Sequence, residues 1–394
     1  MDYCFDNTPN RRGTDSIKWN YYPPDVLPMW IADMDFSSPP EIMEALIIRA
    51  RHGVFGYPVG IVGNFKELDE LKETIRERLA TRYNWHIETG DLVFLPGVVR
   101  GFNMACHMVS GEGGSVIVET PLYPPILEAP ANAGLARRDV ELVRDPQGGY
   151  LSNWDDFTRA LDEQARLFIL CNPHNPVGKV FTTEELERKA AACLEAGVLI
   201  CSDEIHCDLV FNGHRHVPIA SLSPEIADHC ITLMAPTKTF NIPGLQFSFA
   251  IVQNRELRKR FVKAEKGLVG WVNLMGLAAA LAAYHHGQGW LDELLPYIEA
   301  NRDFLSSYLQ EELPEIKMVK PQGTYLAWLD CQQAGLGGKN PYQYFLEKGR
   351  VAFNDGGTFG KGGEGFVRLN FGCSRSNLEE GLERMKSALQ VTKL

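Results

Sequence analysis

The chain has 394 residues, a formal net charge of -11, and 45% hydrophobic against 23% charged residues. That length exceeds what one compact core ordinarily holds, so two packed units are expected, with the composition of an ordinary soluble globular protein. The acidic balance, without any basic run, argues against a nucleic-acid partner, and no apolar stretch reaches membrane-spanning length.

The opening "MDYCFDNTPNRRG" has no apolar core behind a basic start, so no secretory leader is expected. Nine cysteines, among them Cys4, Cys106, Cys171 and Cys373, are scattered without a CxxC pair. They read as reduced, mostly buried thiols of a cytoplasmic protein.

Six apolar runs then follow in order: "DLVFL" (91–95), "SVIVET" (115–120), "RLFILCNP" (166–173), "VLICSDE" (198–204), "CITLMAP" (230–236) and "FSFAIVQ" (247–253). Helical patterns separate them, such as "TTEELERKAAACLEAG" with its threonine cap and closing glycine. Alternation of this kind predicts a largely parallel sheet covered by helices. "LMGLAAALAAY" reads as a buried helix. After about residue 285 the rhythm changes to the long helical "LDELLPYIEANRDFLSSYLQEEL", then "TYLAWLD" and "GFVRLNFG", which predicts a smaller α+β unit.

The strand ends carry the chemistry. "DLVFL" leads to Gly97, Val98 and Val99, "FIL" to Asn172 and Asn175, "LIC" to Asp203, and "ITLM" to Lys238. Open α/β sheets bind ligands beyond the carboxyl ends of their strands. A helix start, two amides, a carboxylate and an amine are thereby aimed at one region.

Pyridoxal 5′-phosphate (PLP) needs such a set: an amine to condense with its aldehyde, a carboxylate to keep its ring nitrogen protonated, and a seat for its phosphate. Lys238 supplies the amine, although a lysine at a strand end is ordinarily just solvated. Asp203 is the carboxylate candidate beside the helix N-cap reading; its neighbour Glu204 points to the opposite face of a strand. The N–H groups of Gly97, Val98 and Val99 suit the phosphate, and Thr237 adds a hydroxyl. Tyr123 could lie on the ring or simply pack in its turn. Asn175 could donate to the ring oxygen or serve as a turn asparagine before proline.

Other signals are set aside. "GKGGEG" (360–365) fits G-x-G-x-x-G but lacks the preceding strand, and reads as a flexible glycine loop near the site mouth. His206, Cys207, His214 and His216, with "FNGHRH" as a hairpin tip, lack a fourth ligand at zinc-like spacing, so no metal is expected. Asp33 and Asp35 of "WIADMDF" read as part of a loop lining the site entrance rather than as an acid/base pair.

Ten segments then match one family in order: "TDSIKWN", "PMWIADMDF", "FGYP", "LPGVV", "PLYPP", "CNPHNPVGKVFT", "SDEIHCDLVFNGHRH", "APTKTFNIPGLQ", "PQGTYLAWLD" and "GFVRLNFGCSR". Over about residues 14–375 the chain resembles fold-type-I PLP enzymes of the class I/II aminotransferase superfamily, and most of all their cystathionine β-lyase-type C–S lyase branch.

The resemblance implies an α/β fold with a mostly parallel seven-stranded sheet in a large PLP-binding domain (46–285). A smaller α+β domain (286–394) and an N-terminal segment (1–45) packing with it complete the division. It implies that Lys238 carries the cofactor and then acts as acid/base, with Asp203 on the ring nitrogen, Asn175 on the ring oxygen and Tyr123 on the ring face. Tyr57 would reach the phosphate of a neighbouring subunit, in a homodimer with shared sites. Arg368 would grip the substrate α-carboxylate, with Asn175 also near the substrate.

Two departures from the aminotransferase pattern suit the lyase branch. His206 stands where a tyrosine is usual and is expected in the cofactor pocket, while Gln246 replaces a phosphate-binding arginine. Separately, Ala235 stands where a serine is common, which removes a further phosphate hydroxyl. The expected activity is β-elimination from cystathionine, cysteine or cysteine S-conjugates. The alternatives are an aminotransferase and a PLP-fold regulatory protein.

Overall fold

The computed structural model describes residues 3–57, 66–145 and 149–392; Pro58 of "FGYP" lies outside them. The apolar runs become strands of one seven-stranded sheet: β1 (Leu92–Leu95), β2 (Ser115–Thr120), β3 (Ala136–Glu141), β4 (Ala165–Cys171), β5 (Leu199–Asp203), β6 (Cys230–Met234) and β7 (Ser248–Ile251). Their spatial order is β1-β7-β6-β5-β4-β2-β3. β7 runs antiparallel to both its neighbours, and every other pairing is parallel.

One strand has no counterpart among the six runs. β3, "ARRDVE", lies at the sheet edge, and its Arg137 and Arg138 pair with Asp139 and Asp162 at 2.6 and 2.5 Å. Charges protect an edge strand from pairing with another chain, and they hide the apolar signal that marks an interior one.

The interior strands are apolar on both faces because helices cover both. Helix α1 (Val98–Val109) sets Val98, Phe102, Ala105 and Val109 against Val116, Val118, Leu167, Ile169 and Leu233. A Cβ at Gly101 would sit 2.6 Å from Leu233 Cδ2, so this residue lets α1 lie close on β6. On the opposite face, helix α2 (Thr183–Glu195) packs Leu186, Ala190 and Cys193 near Ile117, Phe168, Leu170 and Ile200. Its start is a reciprocal cap: Glu185 N–H donates to Thr182 Oγ1, and Thr182 N–H to Glu185 Oε2.

A second sheet holds β8 (Lys317–Met318), β9 (Leu326–Asp330), β10 (Asn354–Asp355) and β11 (Phe366–Asn370), ordered β8-β9-β11-β10 and wholly antiparallel. Helices α3 (Gln288–Glu312) and α4 (Arg375–Thr392) share its core. The N-terminal segment joins them. Leu27–Pro28 pairs in parallel with Val351–Ala352, and Phe5, Met29, Met34 and Phe36 share a cluster with Trp290, Ile298 and Leu382.

Two local readings change. The glycine loop is packed rather than loose: a Cβ at Gly363 would meet Gly356 O at 2.1 Å, and one at Gly356 would meet Gly363 O at 2.3 Å. "FNGHRH" is not a hairpin tip, because Val210 bridges to Gly323 and Phe211 N–H donates to Gln322 O, far along the chain. No helix among the described residues is long and apolar enough to cross a membrane.

Candidate active site

A cavity of about 1010 Å³ opens beyond the carboxyl ends of the large sheet. Gly97, Val98, Val99, Tyr123, Asn175, Asp203, His206, Thr237, Lys238 and Arg368 all line it. The topology explains the convergence, since consecutive parallel strands deliver their following loops to the same edge.

Each loop is held from below. Gly97 (φ 106°) turns the chain from β1 into α1, and its N–H donates to Ser248 Oγ at 3.1 Å. That N–H is therefore occupied, which leaves the first-turn N–H groups of Val98 and Val99 as the candidate donors to an anion. Tyr123 stands at the N-cap of the helix Pro124–Asn132. Lys238 sits in a one-turn helix, Pro236–Thr239, directly after β6.

Asp203 and Glu204 diverge as neighbours on a strand should. Asp203 faces the cavity, 3% exposed, and accepts one backbone N–H, from Ile205 at 3.2 Å. Glu204 is taken up behind the sheet by Ser202 (2.8 Å), His216 (2.7 Å) and Ile219 N–H (3.2 Å). Among the described residues no three His, Cys, Asp or Glu side chains gather as a metal site.

The remaining wall comes from distant sequence. Arg368 on β11 donates to Asn175 Oδ1 (3.0 Å) and Asn354 Oδ1 (2.7 Å), over the ring of Phe359. Because Asn175 spends its oxygen on Arg368, its Nδ2 is left for the cavity. Lys238 Nζ donates to the carbonyl of Ala32 at 2.5 Å, which also accepts from Tyr325 Oη at 2.9 Å. Asn241 holds this N-terminal strap in place through Met34 N–H, Met34 O and Phe36 O.

Burial without full pairing sets the electrostatics. Burial pushes the Asp203 carboxyl up to about 7, the one backbone N–H and Lys238 opposing it only in part. It lowers the Lys238 amine to about 8 despite the nearby Asp33 carboxylate. Burial together with the cations Lys238 and Arg368 lowers His206 to about 3, so this imidazole is neutral. Burial brings even Arg368 down to about 10. Arg368 Nε and His206 Nδ1 have no hydrogen-bond partner among the described residues.

Such a cleft gathers a raised carboxyl, a lowered amine and a buried guanidinium in a poorly solvated space. The sequence match resolves what kind of cleft it is: residues 24–385 fit the model of aminotransferase class I and II. The chain belongs to that family. Within it, cystathionine beta-lyase PatB of Bacillus subtilis (strain 168) is 41% identical over 392 residues, 98% of this chain and 99% of that protein. Among solved structures, cystalysin from Treponema denticola, which contains a pyridoxal 5′-phosphate cofactor, superposes with a TM-score of 0.93 at 31% identity, covering 99% of this chain and 100% of that one. The PLP-bound C–S lyase from Staphylococcus hominis gives 0.91 at 30% identity, covering 98% and 99%.

The residues present fit the cofactor those family members hold. A buried amine, a buried carboxyl, a free amide Nδ2 and the first turn of α1 meet in one cavity. Tyr57 stands apart: it does not line this cavity, is 83% exposed, and packs edge-on to Trp271 at 5.2 Å. Four contributors escaped the sequence reading: Asn354, Tyr325, Asn241 and the Ala32 carbonyl. The last three lie inside quoted segments, and only long-range contacts give them a function.

Proposed function

We propose that this chain is a PLP-dependent carbon–sulfur β-lyase, releasing thiol, pyruvate and ammonia from L-cystathionine or related cysteine S-conjugates. The observation that carries the chemistry is the convergence of Lys238, Asp203, Asn175 and Arg368 on one cavity. The full-length likeness to PatB favours elimination over amino-group transfer. PLP, when bound, supplies an electron sink for the bond broken at the substrate α-carbon.

Lys238 holds the cofactor and then takes the α-proton, a task suited to an amine lowered to about 8. Asp203 would hold the cofactor's ring nitrogen and keep a proton there by charge. Asn175 would donate to the ring oxygen and Tyr123 would cover the ring face. His206, neutral, packs edge-on to Tyr325 at 5.8 Å and shapes the floor. Val98 and Val99 N–H groups and the Thr237 hydroxyl, with Gly97 making the turn, seat the phosphate. Arg368 presents its fork to the substrate carboxylate, aimed by Asn354 and Asn175. Orientation of the Cβ–S bond beside Lys238 then lets the thiolate leave.

The assembly is a homodimer in this reading, with Tyr57 reaching the neighbour's phosphate. The exposed Ile48, Phe55, Tyr57 and Trp271 support it, because such an apolar surface calls for a partner. Residues 46–285 form the cofactor-binding unit, and 286–394 with 1–45 the smaller one. The nine unpaired cysteines, eight of them buried, suit a cytoplasmic location.

The test is a product assay on cystathionine, cysteine and a panel of amino acids, with and without 2-oxoglutarate. Thiol and pyruvate should appear without the keto acid. Amino transfer to 2-oxoglutarate outpacing that release across the panel would establish an aminotransferase instead.

A further inference from the structure

A phosphate dianion needs more compensation than backbone N–H groups supply, since a helix start is worth about half a charge. Where the family usually puts an arginine, this chain has the neutral Gln246, which lines the cavity in a left-handed turn at φ 48°. The described residues lining the cavity include four lysines and arginines: Arg11, Arg100, Lys238 and Arg368. Three are committed. Arg11 forks onto Asp33 at 2.7 and 3.1 Å, Arg368 bonds Asn175 and Asn354, and Lys238 is the cofactor amine.

Arg100 is the remaining one. It makes no hydrogen bond or ion pair with a described residue through its side chain. It stands in the first turn of α1, and its own N–H closes that turn on Gly97 O at 3.1 Å. Its Nη1 lies 3.9 Å from the point where a Cβ on Gly97 would be. The guanidinium thus folds back over the bare backbone of Gly97, at the start of the helix whose first-turn N–H groups are those of Val98 and Val99.

We propose that Arg100 is the cation that neutralises the cofactor phosphate, replacing the charge that Gln246 does not carry. The proposal rests on the phosphate seat described above. A planar guanidinium can offer two parallel donors to phosphate oxygens, which a lysine cannot. Arg100 is exposed, so its contribution is moderate and falls with salt.

The test compares binding of PLP and of unphosphorylated pyridoxal to cofactor-stripped full-length protein, followed by absorbance. Arg100→Ala should weaken PLP binding about tenfold, as expected for losing one charge-assisted contact. Pyridoxal binding should stay within about twofold, and the PLP deficit should shrink as salt rises. Arg100→Lys should recover part of the loss, since it restores charge without the fork. Equal weakening of both ligands would mean that Arg100 only supports the fold, and would overturn the proposal. Thr237→Val separates the two levels. If it weakens PLP while Arg100→Ala does not, the seat stands and Arg100 is not its cation; if neither changes PLP binding, the seat itself is misplaced and the proposal falls with it.

Discussion

Asp203 and Asp208 belong to one short segment, and each is 3% exposed, yet their carboxyls move in opposite directions. Burial alone would raise both. At Asp208 it is outweighed by Arg78 (2.9 Å) and Arg82 (2.8 Å), with Tyr83 and Thr239 hydroxyls at 3.0 and 3.1 Å, and the carboxyl falls to about 2. At Asp203 one backbone N–H is the only donor among the described residues, and the carboxyl rises to about 7. Lys189 is also buried with partners, Glu119 (2.5 Å) and Ser152 (2.6 Å), although there burial still lowers the amine. Asp208, with its partners, ties the fold together, whereas Asp203, left short of partners, faces the cavity. The cleft is built at the expense of stability, and a ligand completes it.

The strongest way to break this contrast is at the amine. Lys238→Ala is expected to lower product release by about 10³-fold or more and to abolish borohydride-reducible attachment of PLP, read by mass spectrometry. If the proposed dimer shares its sites, mixing it with Tyr57→Ala protein should restore part of the activity after subunit exchange, because one site of a mixed dimer would be intact. Retained attachment in the lysine variant would assign the cofactor to another lysine, and an active strict monomer would remove Tyr57 from the site.

Asp203→Asn should cost about 10²-fold or more in turnover, while making the cofactor-free protein more stable at neutral pH. The folded protein holds the Asp203 proton to about pH 7, whereas the unfolded chain releases it near about 3.9. Stability from that proton is complete below about pH 4 and is lost as the pH rises to 7. The variant's lead in urea unfolding should therefore grow over this window, at up to about 1.4 kcal/mol per unit, and level off above it. A lead that does not change with pH would refute the electrostatic account.

Asp208→Asn should do the reverse, destabilising by about 2–3 kcal/mol at neutral pH because Arg78 and Arg82 lose their counter-charge. The Asp208 carboxylate stabilises the fold above the ordinary carboxyl range, and this is lost as the pH falls through about 2. Comparing both variants at pH 5 and pH 8 sharpens the contrast: the Asp208 deficit should stay nearly constant, whereas the Asp203 lead should widen. An Asp208→Asn protein as stable as the parent would show that pairing is not what separates the two carboxyls.

Much of this was determined by sequence alone because its signals are local. The interior strands announced themselves as apolar runs, α2 by its threonine cap and closing glycine, and the cavity by what stands at the strand ends, Lys238 and Asp203 first among them. Tertiary structure decided the rest, because the deciding contacts are between residues far apart in the chain. β3 became a strand by docking its charged edge on β2, and Arg368 finds its aim in Asn175, 193 positions away. The Ala32 carbonyl meets Lys238 across 206 positions. Asp203 and Asp208 look alike in "SDEIHCDLVF", and only the packing of the helix Lys66–Tyr83 against one of them gives that carboxylate its partners. Burial sets the cost of a charge, and long-range pairing decides whether that cost is met within the fold or left for a ligand.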